Sequence, residues 1–315
     1  MPCYSPVYGY RSHLIGASGK RGITFKPTEA FFGEAIPLPC GKCIGCKLER
    51  ARVWAIRCLH ESKMHKHNCF VTLTYDNEHL PSDGSLVVRH LQLFMKRLRV
   101  DYDRSVSGKL RFYACGEYGD HTFRPHYHAL LFGIDFFDKR HYSESARGDV
   151  IYTSKVLDGI WGMGSCKIGE VNFETAGYVA RYCLKKVDGA KRDDGHYLVY
   201  NSDGVVSERL PEFSTMSRRP GIGTSYYDKF GGDVRRDDNL VVNGKLVPSI
   251  RYYDLKHEAL DSKGFAMLKA HRRALKHGET ELSRFAKSCD EFGFFRHGVR
   301  TKISQSMLKA KRTIL

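Results

Sequence analysis

Two histidines one residue apart, His126 and His128, sit in the stretch Arg124-Pro125-His126-Tyr127-His128-Ala129-Leu130-Leu131-Phe132. Its apolar and aromatic residues predict a strand, with Pro125 at the mouth, where a missing N–H costs little. Side chains along a strand alternate between faces, so both imidazoles project from one side and Tyr127 from the other. Two imidazoles held side by side on a rigid strand are good ligands for a divalent ion. The alternative for such a pair is two half-buried histidines satisfied by hydrogen bonds. A third ligand with a hard oxygen favours Mg²⁺ or Mn²⁺ over Zn²⁺. Glu117, just ahead of the strand, is the candidate, against the alternative of a surface-loop carboxylate.

A second stretch with chemical potential is Gly177-Tyr178-Val179-Ala180-Arg181-Tyr182-Cys183-Leu184-Lys185-Lys186. On a helix, residues three and four apart share a face, so Tyr178, Tyr182 and Lys185 form one stripe. Such a stripe can be core packing. Ending in lysine, it can also be chemistry, because a phenol of pKa near ~10 needs a neighbouring cation or base to act as a nucleophile at neutral pH. A metal on the His pair would draw charge from a phosphodiester oxygen, and a tyrosine nearby could attack phosphorus in line, leaving a phosphotyrosine and a free sugar hydroxyl.

The third stretch is Pro39-Cys40-Gly41-Lys42-Cys43-Ile44-Gly45-Cys46. Cysteines at successive two-residue gaps, with glycines between, suit a loop curled round a tetrahedral ion. Cys3 is the expected fourth ligand, with Cys58 and His60 behind it. The spacing also resembles part of an iron–sulfur run, without the usual fourth Cys three residues on. Structural Zn²⁺, a cluster and unligated thiols therefore all stand at this point.

The elements that must carry these groups follow from periodicity. Residues 1–39, punctuated by Gly and Pro, read as an irregular arm. Residues 47–67 carry an apolar stripe at helical spacing, and 69–75 are a β-branched and aromatic strand. Residues 88–103 read as a helix, 109–115 and 125–133 as strands, 149–161 as a helix, 166–173 as a strand and 174–186 as a helix. The order β-α-β-β-α-β is that of a split, ferredoxin- or RRM-like α+β unit with an antiparallel central sheet, followed here by the tyrosine helix. Its first and third strands are central neighbours, which puts the His pair mid-sheet. The expected division is 1–67 (arm, Cys cluster and helix), 68–187 (core) and 188–315 (basic extension).

The charge balance points to an anionic partner. The 315 residues hold 51 Lys+Arg against 35 Asp+Glu, a net +16, with 18 Tyr and 18 Phe. Aromatics interleaved with cations suit single-stranded nucleic acid. Arg124, Arg181, Arg218 and Arg219 are candidate DNA contacts by charge and neighbourhood. No apolar run approaches a membrane span and no signal peptide is legible, so the expected location is the cytoplasm with no membrane partner. Ten Cys in such a compartment read as reduced thiols plus a metal site.

Three elements in order, Phe70-Val71-Thr72-Leu73-Thr74-Tyr75, His126-Tyr127-His128, and Tyr178 and Tyr182 with Lys185, resemble the HUH endonucleases, the rolling-circle replication initiators and their relatives. The paired tyrosines look like those of initiators from small single-stranded DNA bacteriophages. The Cys-X-X-Cys-X-X-Cys-X-Leu-Glu-Arg stretch and Ser217-Arg218-Arg219-Pro220-Gly221-Ile222-Gly223 extend the likeness to initiators of gokushovirus-type microviruses over roughly residues 1–230. The resemblance implies a metal-dependent nick at a phage origin on single-stranded DNA, one tyrosine taking the 5′ phosphate while the 3′ hydroxyl primes a host polymerase. The second tyrosine would later attack the regenerated origin and release a circle. It further implies His126 and His128 as metal ligands, Tyr178 and Tyr182 as nucleophiles, Lys185 as helper, a host helicase as partner and the host bacterial cytoplasm as location.

Rival readings stand beside it. A plasmid relaxase or a transposase shares the chemistry, though a transposase would favour a single tyrosine. A non-catalytic RRM-like module would hold single strands on a similar sheet, but lacks here its aromatic-Gly-rich strand signature. A zinc hydrolase built on the His pair lacks an obvious water-activating Glu beside it.

Overall fold

The computed structural model describes residues 3–16, 19, 21–102, 110–145, 148–182, 195–200 and 204–277. The chain divides into two compact units, one within residues 1–50 and one beginning at Ala51.

The first unit contains β1 (Val7–Ile15), β2 (Arg21–Thr24) and β3 (Ile36–Leu38), paired antiparallel in the order β2-β1-β3. The expectation of an irregular arm is corrected here. Glycine reads as punctuation in a sequence, but Gly9 serves close strand packing: a Cβ there would lie 2.9 Å from Leu38 Cδ1. Helix α1 (Ile44–Ser62) starts three residues earlier than its apolar stripe predicted and ends five residues sooner.

The second unit is built on β4 (Asn68–Tyr75), α2 (Val88–Tyr102), β5 (Arg111–Tyr118), β6 (Pro125–Phe132), β7 (Arg140–Glu144), β8 (Val150–Thr153), α3 (Lys155–Trp161), β9 (Gly164–Gly169) and α4 (Phe173–Tyr182). It continues with the hairpin strands β10 (Leu198–Tyr200) and β11 (Val206–Glu208), and then β12 (Phe213–Met216). Seven strands form one antiparallel sheet in the order β12-β5-β6-β4-β9-β8-β7. With seven α-helices among the described residues, the class is α+β.

The helix expected over 149–161 is corrected to a strand followed by a shorter helix. Val150, Ile151 and Thr153 are β-branched and prefer the pleated surface. Ser154 then opens α3, its Oγ accepting from Leu157 N at 3.0 Å, as an N-cap residue does.

Alternation along the strands sends side chains to two covered faces. On one, Val71, Leu73, Tyr127, Ala129 and Leu131 pack against Leu91, Phe94 and Leu98 of α2 and Leu157 and Trp161 of α3. On the other, Phe70, Tyr113, Cys115 and Leu130 pack against Ala51 and Ala55 of α1 and Ala176 and Val179 of α4.

The chain past 216 adds α5 (Thr224–Asp237), the hairpin β13 (Asn239–Val242) and β14 (Lys245–Pro248), α6 (Arg251–Leu260) and α7 (Ser262–His277). Tyr227, Val234, Leu240 and Tyr253 form a third cluster with Ile56 of α1. The last two described helices are divided at Asp261. Its carboxylate accepts from Gly264 N at 2.8 Å and so starts α7. Among the described residues no helix is long and apolar enough to cross a membrane.

Candidate metal and nucleophile site

The middle of the sheet gathers the polar groups. In register, β5 sets Glu117 opposite His126 and β4 sets Thr72 opposite His128. All of these side chains fall on the face covered by α1 and α4, because each occupies the same phase of its strand as a residue of that face's core. Glu117 is 2% exposed and His128 3%, so this is a desolvated site.

Glu117 Oε1 lies 2.6 Å from His126 Nε2 and 3.3 Å from His128 Nε2. One ligand atom from each of the three falls within 4.8 Å of the others. His126 Nδ1 sits 3.1 Å from the carbonyl oxygen of Arg124, which can only accept, so Nδ1 carries the proton. In a neutral imidazole Nε2 is then a bare lone pair facing a carboxylate oxygen. Two acceptors at that distance repel unless a proton or a cation lies between them. The donor set therefore fits a divalent ion, with His126, His128 and Glu117 as the residues that would hold it. Burial works to raise the Glu117 carboxyl, but with protons on the two Nε2 atoms the hydrogen bonds and charge of His126 and His128 outweigh it and hold the group down to about 2, a place that a bound cation would take over. It is a carboxylate at neutral pH, as a ligand must be.

Thr72 completes the arrangement. Its Oγ1 is 2.9 Å from His128 Nδ1, a partner that orients the ring and turns Nε2 toward Glu117. The strand reading had Thr72 only as a β-former. The available signal was Thr72 and Thr74 on one face of an otherwise apolar strand.

Tyr178 stands over the pair from α4. Its ring is 5.3 Å from that of His128 and 6.1 Å from that of Phe70, both edge-on. Tyr182 closes α4 one turn later, and its side chain lies outside the described atoms. Lys185 falls outside the described residues. Beside the site a cleft of about 210 Å³ runs along β4 and β9, lined by Phe70, Thr72, Lys167, Gly169, Asn172 and Thr175 among others. Lys167 lies opposite Thr72 and rests over the Tyr142 ring, 3.0 Å from its centroid. Charge counting along the sequence did not single it out, because a strand lysine differs from any surface lysine only once its neighbours are known.

The four candidate DNA-contact arginines stand in different settings. Arg124 donates to Asn77 Oδ1 at 3.0 Å and to the carbonyl of Tyr75 at 3.1 Å, so it holds the exit of β4. Arg181 is half-buried in the last turn of α4. Arg218 and Arg219 are exposed on the loop before α5. The base of that loop is fixed from α1 and β5: Arg57 Nε donates to Ile222 O at 2.9 Å, Gly223 N to Glu61 Oε2 at 2.6 Å, and Arg111 Nη2 to Pro220 O at 2.6 Å.

Of the thiols, Cys3, Cys40, Cys43 and Cys46 gather in the first unit. Cys58 is a core residue in the second, and His60 is stacked on Tyr226 at 3.8 Å. Neither reserve ligand belongs to the thiol group.

Comparison with known proteins points to phage replication. A family model described as Replication-associated protein ORF2/G2P matches residues 68–187. The chain is similar to Replication-associated protein VP4 of Bdellovibrio phage phiMH2K, 36% identical over 221 residues, covering 68% of this chain and 65% of that protein. It is 33% identical over 230 residues to Replication-associated protein ORF2 of Spiroplasma virus 4, covering 70% of this chain and 68% of the relative. It is 31% identical over 224 residues to Replication-associated protein ORF4 of Chlamydia phage 1, covering 70% of this chain and 53% of the relative. The matches thus span just under two thirds of the Bdellovibrio phage protein and about half of the Chlamydia phage protein. No solved structure matches.

Proposed function

The chain belongs to the replication-associated proteins of microvirus-type phages, and on that premise we propose that it initiates rolling-circle replication as an HUH-type endonuclease, nicking single-stranded DNA at the phage origin and later rejoining the circle. The observation that carries this reading is the convergence of Glu117, His126 and His128 on one buried sheet face beneath Tyr178. The Glu117 carboxylate beside the pair serves in this reading as a ligand, and the group standing over the pair is a phenol, as transfer to tyrosine requires.

A bound Mg²⁺ or Mn²⁺ would supply Lewis-acid polarisation of the scissile phosphodiester. The protein's residues do the rest. Sheet register holds the three ligands without rearrangement, and the cover of α1 and α4 keeps the site in low dielectric. Tyr178 or Tyr182 gives up its phenolic proton as its oxygen attacks phosphorus. The P–O3′ bond breaks, the leaving 3′ oxygen takes a proton, and the 5′ phosphate stays on tyrosine. Lys185, three residues after Tyr182 in the sequence, would ease loss of the phenolic proton. In the reverse step the other tyrosine attacks the regenerated origin, and the free 3′ hydroxyl attacks the first phosphotyrosine to close the circle. Arg218, Arg219, Arg181 and Lys167 would carry the backbone of the single strand, and Arg124 would act through the loop it holds.

In this reading β4-α2-β5-β6-α3-β9 is the split βαββαβ unit, and the strand order β9-β4-β6-β5 within the sheet supports it. Residues 68–187 are the nicking core, 1–67 and 188–315 its flanks. The site of action is the host bacterial cytoplasm, with host helicase and polymerase following the nick.

The test is a covalent-adduct gel with the full chain, end-labelled origin fragments and Mg²⁺ or Mn²⁺. A labelled band that survives denaturation, vanishes with EDTA and is absent in the Tyr178→Phe/Tyr182→Phe double variant is expected. Binding of every fragment without any attachment overturns the reading and leaves an RRM-like binding module.

A further inference from the structure

We propose that Cys3, Cys40, Cys43 and Cys46 form a tetrathiolate zinc site that holds the N-terminal unit together, separate from the proposed nicking site.

The geometry is that of a single tetrahedral ion. With Zn–S bonds of about 2.3 Å, the sulfurs of a tetrahedral site stand ~3.8 Å from one another. Cys3 Sγ and Cys43 Sγ are 3.8 Å apart, and all four sulfurs fall within 4.8 Å. A disulfide needs sulfurs about 2.05 Å apart, and these cysteines are free thiols. An iron–sulfur cluster interposes several atoms between its cysteine sulfurs and spreads them wider than one ion does.

The backbone is set for thiolates. Cys40 N donates to Cys3 Sγ, Cys43 N to Cys40 Sγ and Tyr4 N to Cys43 Sγ, each at 3.3 Å. Hydrogen bonds of this kind offset the negative charge that four thiolates bring to one ion. Gly41, at φ +75°, takes the left-handed turn between the first two ligands of the loop, and Arg50 Nη2 holds its carbonyl at 3.3 Å. Cys43 immediately precedes α1, where the first-turn N–H groups favour an anionic sulfur.

The unit also needs such a staple. Among its described residues only Gly9 and Gly45 are buried, neither with a side chain to bury. Tyr8, Leu14, Ile15, Phe25 and Phe32 are all exposed. A three-stranded sheet with no apolar core cannot offset its own ordering entropy, and small units of this kind rely on metals or disulfides. Cys3 stands before β1 and Cys40 after β3, so one ion closes the loop round the whole sheet.

The test uses the full chain from zinc-supplemented medium. Elemental analysis should find one zinc per chain in wild type, in a His126→Ala/His128→Ala variant and in Cys69→Ser, and none in Cys3→Ser or Cys43→Ser. Replacement by Co²⁺ should give the thiolate-to-cobalt charge-transfer and d–d bands of a tetrahedral sulfur site, and this measurement on wild type decides the matter should the Cys variants not fold. Wild type free of zinc, zinc kept at full occupancy in both Cys variants, iron with sulfide in its place, or a cobalt protein without those bands each overturns the proposal.

Discussion

Thr72 Oγ1 lies 2.9 Å from Nδ1 of His128, directly across a pair of neighbouring strands. The hydroxyl orients the imidazole so that its other nitrogen faces Glu117. Replacing Thr72 by Val keeps the shape and removes this partner. Mn²⁺ affinity should fall about 10–100-fold with the fold intact. Titration calorimetry alongside a thermal melt checks this, and unchanged affinity would remove Thr72 from the site.

Glu117→Gln keeps volume and hydrogen-bonding reach but takes away the charge between two imidazoles. Mn²⁺ binding should weaken on the order of a hundredfold, since affinity for hard cations follows the charge of the ligand set. Origin-adduct yield should fall in parallel and recover in part at high Mn²⁺. A variant that binds Mn²⁺ as wild type does would place the ion elsewhere.

Lys167, over the Tyr142 ring at the edge of the cleft, should contribute one backbone contact to bound single-stranded DNA. Lys167→Ala should weaken binding alike for all sequences and reduce the slope of log affinity against log salt by about 1. Fluorescence anisotropy over a salt series measures both.

Acid should destabilise the second unit through two adjacent residues of α1. His60 is fully buried and stacked on Tyr226, and desolvation, helped by Lys63, holds its imidazole down to about 3. The unfolded chain binds a proton there near pH 6.5 while the folded chain refuses it, so stability falls as pH drops below that value. Glu61 adds to the loss lower down. Burial works to raise its carboxyl, but His65, Gly223 N and Arg111 outweigh it and hold it below its ordinary value of 4.5. Its contribution is full above that value and disappears as the pH falls toward the lowered one. Melting temperatures between pH 8 and pH 4 should decline from about pH 6.5 downward, and His60→Phe should flatten the upper part of that decline.

Gly164 opens β9 at φ +141°, and a Cβ there would lie 2.2 Å from Thr74 O and 2.5 Å from Asp76 N. Both obstacles are backbone, one in the central strand β4 and one in the residue that follows it, and cannot swing aside. Gly164→Ala should cost about 3 kcal/mol or more, through strain and overpacking together. Urea denaturation gives the number, and a loss under 1 kcal/mol would show that β4 and β9 separate easily.

Local patterns made part of this protein legible. Alternation with period two set His126 and His128 on one face and Tyr127 on the other, because that period belongs to the extended backbone itself. Helical spacing placed Tyr178 and Tyr182 a turn apart on α4, and the β-branched run of 69–75 named the central strand. The same logic failed where local and distant preferences compete. Val150–Thr153 are apolar enough for either periodicity, and pairing with β7 and β9 made them a strand. The first 39 residues looked irregular because their small sheet has no buried apolar face to leave a pattern.

Only the tertiary structure decided what surrounds the two histidines. Glu117 meets them through the β5–β6 register, Thr72 through the β4–β6 register, and Tyr178 through the packing of α4 across the sheet. Each of these is a distance between elements, set by how whole faces bury against one another. A sequence fixes the phase of a side chain along its own strand or helix, since that depends on backbone geometry within a few residues. Which phases coincide across strands depends on the sum of non-local contacts, and so the meeting of the three candidate ligands appears only in the folded chain.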